Sequence, residues 1–518
     1  MSSTHSFIIE RKASLTAGVI SLFYFAIIGF RGFGASGLAW FDRSIARARE
    51  LVDSPTAFLE WSAEPQMMAD FIGALAILAT PLTAGWTLVV LCALSAAIST
   101  ALIFLISYRL AGPLGGWLSV FFLLTCGPWM GLFTRADPTA LLVPLVLGII
   151  IVWHSNLSWW KRTLAGAPLL AVAILLWPGA LLLPAILLSI DLLVPVASRE
   201  SDQTGLFSAP SVSIDRLLTP ITALLLLGLS PFFWSAPVEN LGAFFLSALE
   251  MPAADLVFRG QVYPPSRPPF YFGAAWLAEQ LPFLTMLAMG CGIAFCRRSP
   301  DPQDRRFSLS LASITVGLLL LPVFFRGPRP LGAEYVALVV ATGVPLATLV
   351  TCRFFSHALG SNSPSMKIRQ VAIATFLVAG GSILLEMPAA HQSPESYRSP
   401  LTARLVGWSP ASDMPQRHNI LPLELLRSTA SAPDQILHTG GWEKYLEIYG
   451  SMGLLSDINT TADPERATIA IRPVTPVAAS RFVSYDSTYL VPLSNTRTRL
   501  FPGFHRPIFL IDERPAEH

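Results

Sequence analysis

The chain has 518 residues, of which 53% are apolar and only 13% charged, and its formal net charge is +2. Soluble domains carry about a quarter charged residues, so an ordinary soluble enzyme is excluded. The near-neutral balance gives no basic surface for nucleic acid; Lys and Arg gather instead at the ends of apolar runs.

Several runs reach the length of about 18 residues needed to cross roughly 30 Å of hydrocarbon, which makes this a polytopic α-helical membrane protein. The first, 13–30, follows MSSTHSFIIERK and ends in FRGFG with no small-residue cleavage site, so it reads as a retained helix, not a removed signal. Next comes GLAWFDRSIARARELVDSP, which sets Asp42 and several arginines just beyond the first crossing. MMADFIGALAILATPLTAG, 67–85, is unbroken for only about 13 residues before Pro81, short for a span. It is expected to lie as an interfacial or re-entrant helix. Further crossings are expected near 86–107, 115–133, 139–153, 164–177, 179–196, 217–234, 276–295, 307–325, 335–352 and 371–387, about eleven in all. Cys92, Cys126, Cys291, Cys296 and Cys352 fall in or beside these runs, with neither a disulfide framework nor zinc spacing.

Sidedness follows from the excess of Lys and Arg in cytoplasmic loops. With the N-terminus inside, the inner loops hold Arg11 and Lys12, Arg109, Lys161 and Arg162, Arg199 and Arg216, the cluster Arg297, Arg298, Arg305 and Arg306, and finally Arg353, Lys367 and Arg369. The outer face then receives the loop before residue 85, the turn TRADP, the loop 235–275, the turn FRGPRPLGAEY and everything after Pro388. That tail changes character. QILHTGG, ATIAIRPV, RFVSYDSTYLVPL and RPIFLIDE read as strands and WEKYLEIYGSMG as a helix. A Pro- and Ser-rich linker, PAAHQSPESYRSP, divides a membrane domain, 1–387, from a small extracytoplasmic α/β domain, 388–518.

The outer segments gather charge. The first loop has Asp42, Glu50, Asp53, Glu60, Glu64 and Asp70. The turn TRADP has Arg135 and Asp137. FRGQVYPPSRPPFYFG brings Arg259, Tyr263, Arg267 and Tyr271, and the turn after the ninth crossing brings Arg326, Arg329 and Glu334. Charges beside a bilayer are costly and tend to line cavities. Arginines suit an anionic head group, and a carboxylate suits a hydroxyl nucleophile that must lose a proton. Plainer readings stand beside these. Asp42 is equally an exposed loop acid or helix cap, and Asp137 before Pro138 an N-cap. Arg326 and Arg329 suit interfacial anchors, and Tyr263 and Tyr271 a headgroup belt. Glu50 and Asp53 are expected to be solvated. The chain has no phosphate-binding loop ending in Gly-Lys-Ser/Thr and no H-E-x-x-H.

The order of parts carries a resemblance. WFDRSIARARELVDS opens the first outer loop with an acid. EPQMMADFIGALAILAT follows as an interfacial stretch near a Pro. SYRLAGPLGGWLSVFFLLTCGPWMGLFTRADPTALLVPLVLGIII then gives a helix ending in Arg, a Gly-rich tight turn, a helix, and an outer turn whose Asp opens the next helix. FRGQVYPPSRPPFYFGAAWLAEQLPF supplies the second-half outer loop. Over roughly the first 350 residues this resembles the GT-C superfamily of integral membrane glycosyltransferases, nearest the branch of lipid-A aminoarabinose transferases and protein O-mannosyltransferases. The resemblance implies transfer of a sugar from a polyprenyl-phosphate donor to a lipid, glycan or protein acceptor, on the extracytoplasmic side of an inner cell membrane. It implies Asp42 as general base and Asp137 as second site carboxylate. Glu64, beside Pro65, would shape the site or, with Asp137, hold a divalent metal. Arg326 and Arg329 would sit near the donor phosphate, and Arg135, Arg259, Arg267, Tyr263, Tyr271 and Glu334 complete the expected substrate-binding set. The chain departs from the family where Arg43 follows the acid and where a Tyr and two Lys are missing, one of them ahead of the sixth crossing at LLWPGALLLP. Two rivals are an inactive scaffold and a transporter of a lipid-linked sugar. Against transport, the ionisable residues cluster at one face and no matching halves are visible.

Overall fold

The computed structural model describes residues 2–31, 38–56, 67–134, 136–155, 157–193, 215–228, 281–296, 302–325 and 333–359, six short strands, and isolated positions elsewhere. Its helices are α1 (Ser2–Arg31), α2 (Leu38–Asp53), α3 (Met67–Ala79), α4 (Ala84–Leu124), α5 (Gly127–Phe133), α6 (Leu142–Trp153), α7 (Trp159–Leu176), α8 (Leu182–Leu193), α9 (Asp215–Gly228), α10 (Phe283–Phe295), α11 (Pro302–Phe325) and α12 (Ala333–Leu359). Among the described residues, three helices are long and apolar enough to cross a membrane: Ala84–Leu124, Trp159–Leu176 and Tyr335–His357. Shorter apolar helices, among them Ala13–Gly29, Pro178–Leu193, Leu217–Gly228 and Leu284–Phe295, fall where further crossings were expected. The expected crossing at 371–387 lies almost wholly outside the described residues. The stretch expected to be interfacial forms the 13-residue α3 and stops just before Pro81, which cannot continue a helix in that position.

Helix α1 shows why the bundle suits lipid. Ala13, Ala17, Ile20, Tyr24 and Ile28 recur at helical spacing and are buried against α4. Ala93, Ala96 and Ala97 of α4 are buried too, and small residues of this kind let two helices approach closely. Ser21 Oγ then reaches the Ala97 carbonyl at 3.0 Å. The opposite face of α1 exposes Leu15, Val19, Leu22 and Phe23. A helix apolar on both its packed and its exposed face has hydrocarbon as its solvent.

The 41 residues of α4 are two helical segments that meet at a break, not one straight rod. Gly112 has φ 73° and ψ −169°, outside helical geometry, and Pro113 follows it. A Cβ on Gly116 would stand 2.7 Å from the Phe104 ring, and Trp117 meets that ring edge-on at 6.0 Å. Twelve residues of continuous helix would separate Phe104 from Gly116 by about 18 Å. The chain therefore reverses at Gly112, as the expected Gly-rich tight turn requires. At the centre of the bundle lies α12, buried all round from Tyr335 to Leu349 with the exception of no residue between them. It packs against α4, α5, α6, α10 and α11. Two polar links tie it to α11: Thr315 Oγ1 donates to Thr342 Oγ1 at 2.9 Å, and the Tyr335 hydroxyl donates to the Leu318 carbonyl.

One end of the bundle is tied by polar side chains. Asp191 near the end of α8 accepts from Trp153 Nε1 of α6 at 2.9 Å and lies 3.8 Å from the Arg306 guanidinium of α11. His154 Nε2 is 2.9 Å from Ser310 Oγ, and Arg109 reaches Asp304 at 3.3 Å. Four segments expected on the inner side thus meet at a single end. Asp191→Ala should lower stability in detergent by about 1–3 kcal/mol, because it leaves the buried Trp153 indole N–H without its acceptor and removes a partly buried ion pair. Asp304→Ala, at the more exposed pair, should cost less than about 1 kcal/mol. Thermal unfolding of the two variants checks the contrast.

In the tail, all four expected strands are present as β3 (Leu437–His438), β4 (Ile469–Pro473), β5 (Thr488–Pro492) and β6 (Pro507–Glu513), in sheet order β3-β4-β6-β5. β3 and β4 are parallel and the other pairs antiparallel. A parallel pair needs a long crossover. The expected helix WEKYLEIYGSMG falls in that crossover, and apart from the helical Leu446 it lies outside the described residues. A separate hairpin joins β1 (Leu256–Phe258) to β2 (Gln261–Tyr263).

Candidate functional site

The Asp137 turn is built by local chemistry. α5 ends at Phe133, and Thr134 Oγ1 donates back to the Met130 carbonyl at 2.9 Å. Ala136 then takes φ 52°, a left-handed conformation that costs a non-glycine residue roughly 1–3 kcal/mol and persists only where the surrounding structure holds it. Asp137 follows in extended geometry, and its Oδ1 accepts from the Thr139 N–H at 2.9 Å. Pro138, which needs no hydrogen-bond partner for its nitrogen, opens a four-residue 3₁₀ turn, Pro138–Leu141, that runs into α6. Between α5 and the helix beginning at Pro138 the chain bends by 115°. Asp137 is 2% exposed, and Cys92 Sγ of α4 donates to its carbonyl oxygen at 3.3 Å. The turn lies roughly 20–25 Å along α6 from the Asp191 end, on the opposite side of the bundle.

A second turn of the same build lies 40 residues later. Asp137-Pro-Thr-Ala-Leu-Leu-Val-Pro144 matches Trp177-Pro-Gly-Ala-Leu-Leu-Leu-Pro184 in the sequence. Each forms a 3₁₀ turn of four residues, Pro138–Leu141 and Pro178–Leu181, followed by a helix of 12 residues. The closing backbone bonds agree as well, Ala140 N to Asp137 O at 3.0 Å and Ala180 N to Trp177 O at 2.9 Å. Trp177 provides no side-chain cap. The turn therefore forms without a carboxylate, and capping alone does not account for a buried acid at 137.

The segment bearing Asp42 comes to this turn through α2 and α3. α2 is amphipathic: Ser44 and Ala48 are buried and Leu51 packs on the core, whereas Arg43, Arg49 and Asp53 are exposed. Glu50 pairs with Arg47 at 2.8 Å on the partly exposed side, in keeping with its expected solvation. α2 packs on α3, and α3 also touches the Asp137 turn, α4 and α7. They approach closely at Gly73, where a Cβ would stand 2.5 Å from Ser44 Oγ and 3.2 Å from Pro138 Cγ. Ser44, two residues after Asp42, and Pro138, next to Asp137, thus converge on one glycine.

Of the residues expected in the site, Asp137 is buried in this junction, Asp42 lies on α2 and Glu334 in the first turn of α12, the side chains of the last two lying outside the described residues. Tyr263 ends β2, and Tyr271 is exposed. Glu64, Arg135, Arg259, Arg267, Arg326 and Arg329 lie outside the described residues. Among the described residues no three His, Cys, Asp or Glu side chains stand together as metal ligands. The junction also contains a further acid of the first outer loop, outside the expected site set. Asp70, in the first turn of α3, is 4% exposed. Its signal was an ionisable residue set directly into an apolar run.

No protein-family model matches the chain, and no curated protein does. Among solved structures, the chain is similar to ArnT. ArnT from Cupriavidus metallidurans bound to undecaprenyl phosphate aligns at 13% identity with a TM-score of 0.47, over 100% of this chain and 99% of that one. The oligosaccharyltransferase of Archaeoglobus fulgidus in its apo form aligns at 12% identity with a TM-score of 0.45, over 88% of this chain and 65% of its own.

Proposed function

We propose that the protein is a membrane glycosyltransferase that moves a sugar from a polyprenyl-phosphate donor to an acceptor at the extracytoplasmic face. The observation that carries this reading is Asp137, a buried carboxylate in a turn whose counterpart at Trp177 forms without one, beside the α2 segment bearing Asp42. The helix junction supports a site of two acids, and the GT-C resemblance of the sequence supplies the chemistry.

In this mechanism Asp42 takes the proton from an acceptor hydroxyl or amine as that atom attacks the anomeric carbon. The new glycosidic bond forms as the bond from that carbon to the phosphate oxygen breaks. The electron pair leaves with the polyprenyl phosphate, and a single in-line attack inverts the carbon. Asp137 orients the acceptor or the sugar, and Arg326 and Arg329 stabilise the departing phosphate, where charge develops. The outer turns, the loop 235–275 and the α/β tail domain, 388–518, share the outer side in this reading, with the Asp191–Arg306 end toward the cytoplasm. Purified protein in liposomes, given a panel of polyprenyl-phosphate sugars and candidate acceptors, should yield an inverted glycoside with at least one donor. No turnover across the panel, with the protein folded, would contradict the proposal.

A further inference from the structure

We propose that Asp70 is a positioning residue for this same site, a third carboxylate lodged in the seam between α2 and the Asp137 turn that sets how the Asp42 segment lies there. The inference rests on the transferase reading and deepens it. Asp70 interrupts an otherwise apolar helix, MMADFIGALAILA, and is 4% exposed. Burying a carboxylate is costly unless its surroundings hold it, so packing alone would favour an apolar residue. Its place in the first turn, where free N–H groups favour negative charge, offsets part of that cost.

One helical step further, on the same face, is Gly73. There Ser44 of α2 and Pro138 of the Asp137 turn both come close to α3. The face carrying Asp70 is therefore the face on which the two acid-bearing elements meet. A separate mark is the hydroxyl of Ser44, fully buried and without a hydrogen-bond partner among the described residues. Thr139 Oγ1, across the seam in the Asp137 turn, is in the same condition. A buried hydroxyl left unpaired costs about 1–3 kcal/mol, so the seam is built to receive a polar group. Asp42 lies half a turn before Ser44. Any change in how Ser44 sits on this seam moves the general base relative to Asp137, so Asp70 acts through α2 and not on the substrate directly.

The test compares wild type, Asp70→Ala, Asp70→Asn and Ser44→Ala in the liposome transfer assay. Asp70→Ala is expected to lower kcat by about 10–100-fold, the scale of a sub-ångström to ångström misplacement of a reacting group. KM for the donor should stay within about twofold, because the donor's own contacts are untouched. Asp70→Asn, which keeps the shape, should fall between, and Ser44→Ala should show the same split with a smaller loss. Wild-type kcat in Asp70→Ala, or a KM that rises in step with the fall in kcat, overturns the proposal. Should Asp70→Ala fail to fold, Gly73→Ala, whose Cβ meets Ser44 Oγ and Pro138 Cγ, wedges α2 and the turn apart without removing a charge, and wild-type kcat there overturns it equally. No transfer by wild type overturns both readings, whereas active wild type with unaffected Asp70→Ala overturns this one alone.

Discussion

Asp42→Asn is expected to reduce transfer by about 10²–10⁴-fold, the usual contribution of a positioned general base. Asparagine keeps the size and hydrogen-bonding reach of the side chain but cannot take up a proton from the attacking hydroxyl. α2 should be unaffected, because it is anchored through Ser44, Ala48 and Leu51 on its packed side. Expression, membrane insertion and thermal midpoint should match wild type while kcat falls. An acceptor that arrives already deprotonated should recover part of the loss, since it no longer needs the base.

The second large effect is expected at Asp137, where two substitutions separate chemistry from capping. Asp137→Asn leaves an amide oxygen to accept from the Thr139 N–H, so the 3₁₀ turn should persist. Its transfer should still fall about 100-fold or more if the negative charge orients acceptor or sugar. Asp137→Ala loses the cap as well, at a further cost of about 1 kcal/mol in stability. The turn at Trp177, closed by the same backbone bond with no side-chain cap, indicates that this loss will not unfold the protein. Equal activity in Asp137→Asn and wild type would return Asp137 to the role of a helix cap.

Hydropathy and proline made much of this architecture legible in advance. The length of α3 follows from an apolar run cut by Pro81, and the reversal within α4 from Gly112 and Pro113. The strands of the tail alternate clearly enough to be read one by one. Burial of particular polar residues was not legible, because it depends on which helix faces which. Asp70 stands in the same loop as Glu50, and nothing local distinguishes a solvated acid from one enclosed by a neighbouring helix. That distinction arises only when Gly73 lets α2 approach α3. The Asp191–Arg306 pair is of the same kind, joining residues far apart in the chain. The matching turns at Asp137 and Trp177 are written openly in the sequence, but the match gains meaning only from their common 3₁₀ geometry.

The central claim is that Asp42 and Asp137 share one pocket at the outer rim of the bilayer. Its most direct test is a chain without native cysteines that carries Asp42→Cys and Asp137→Cys, treated in sealed vesicles of known orientation with a short bifunctional maleimide. The account predicts an intramolecular cross-link between the two positions, blocked by membrane-impermeant thiol reagent applied from the extracytoplasmic side. Labelling of the two positions from opposite sides, or no cross-link when both are labelled, would contradict it.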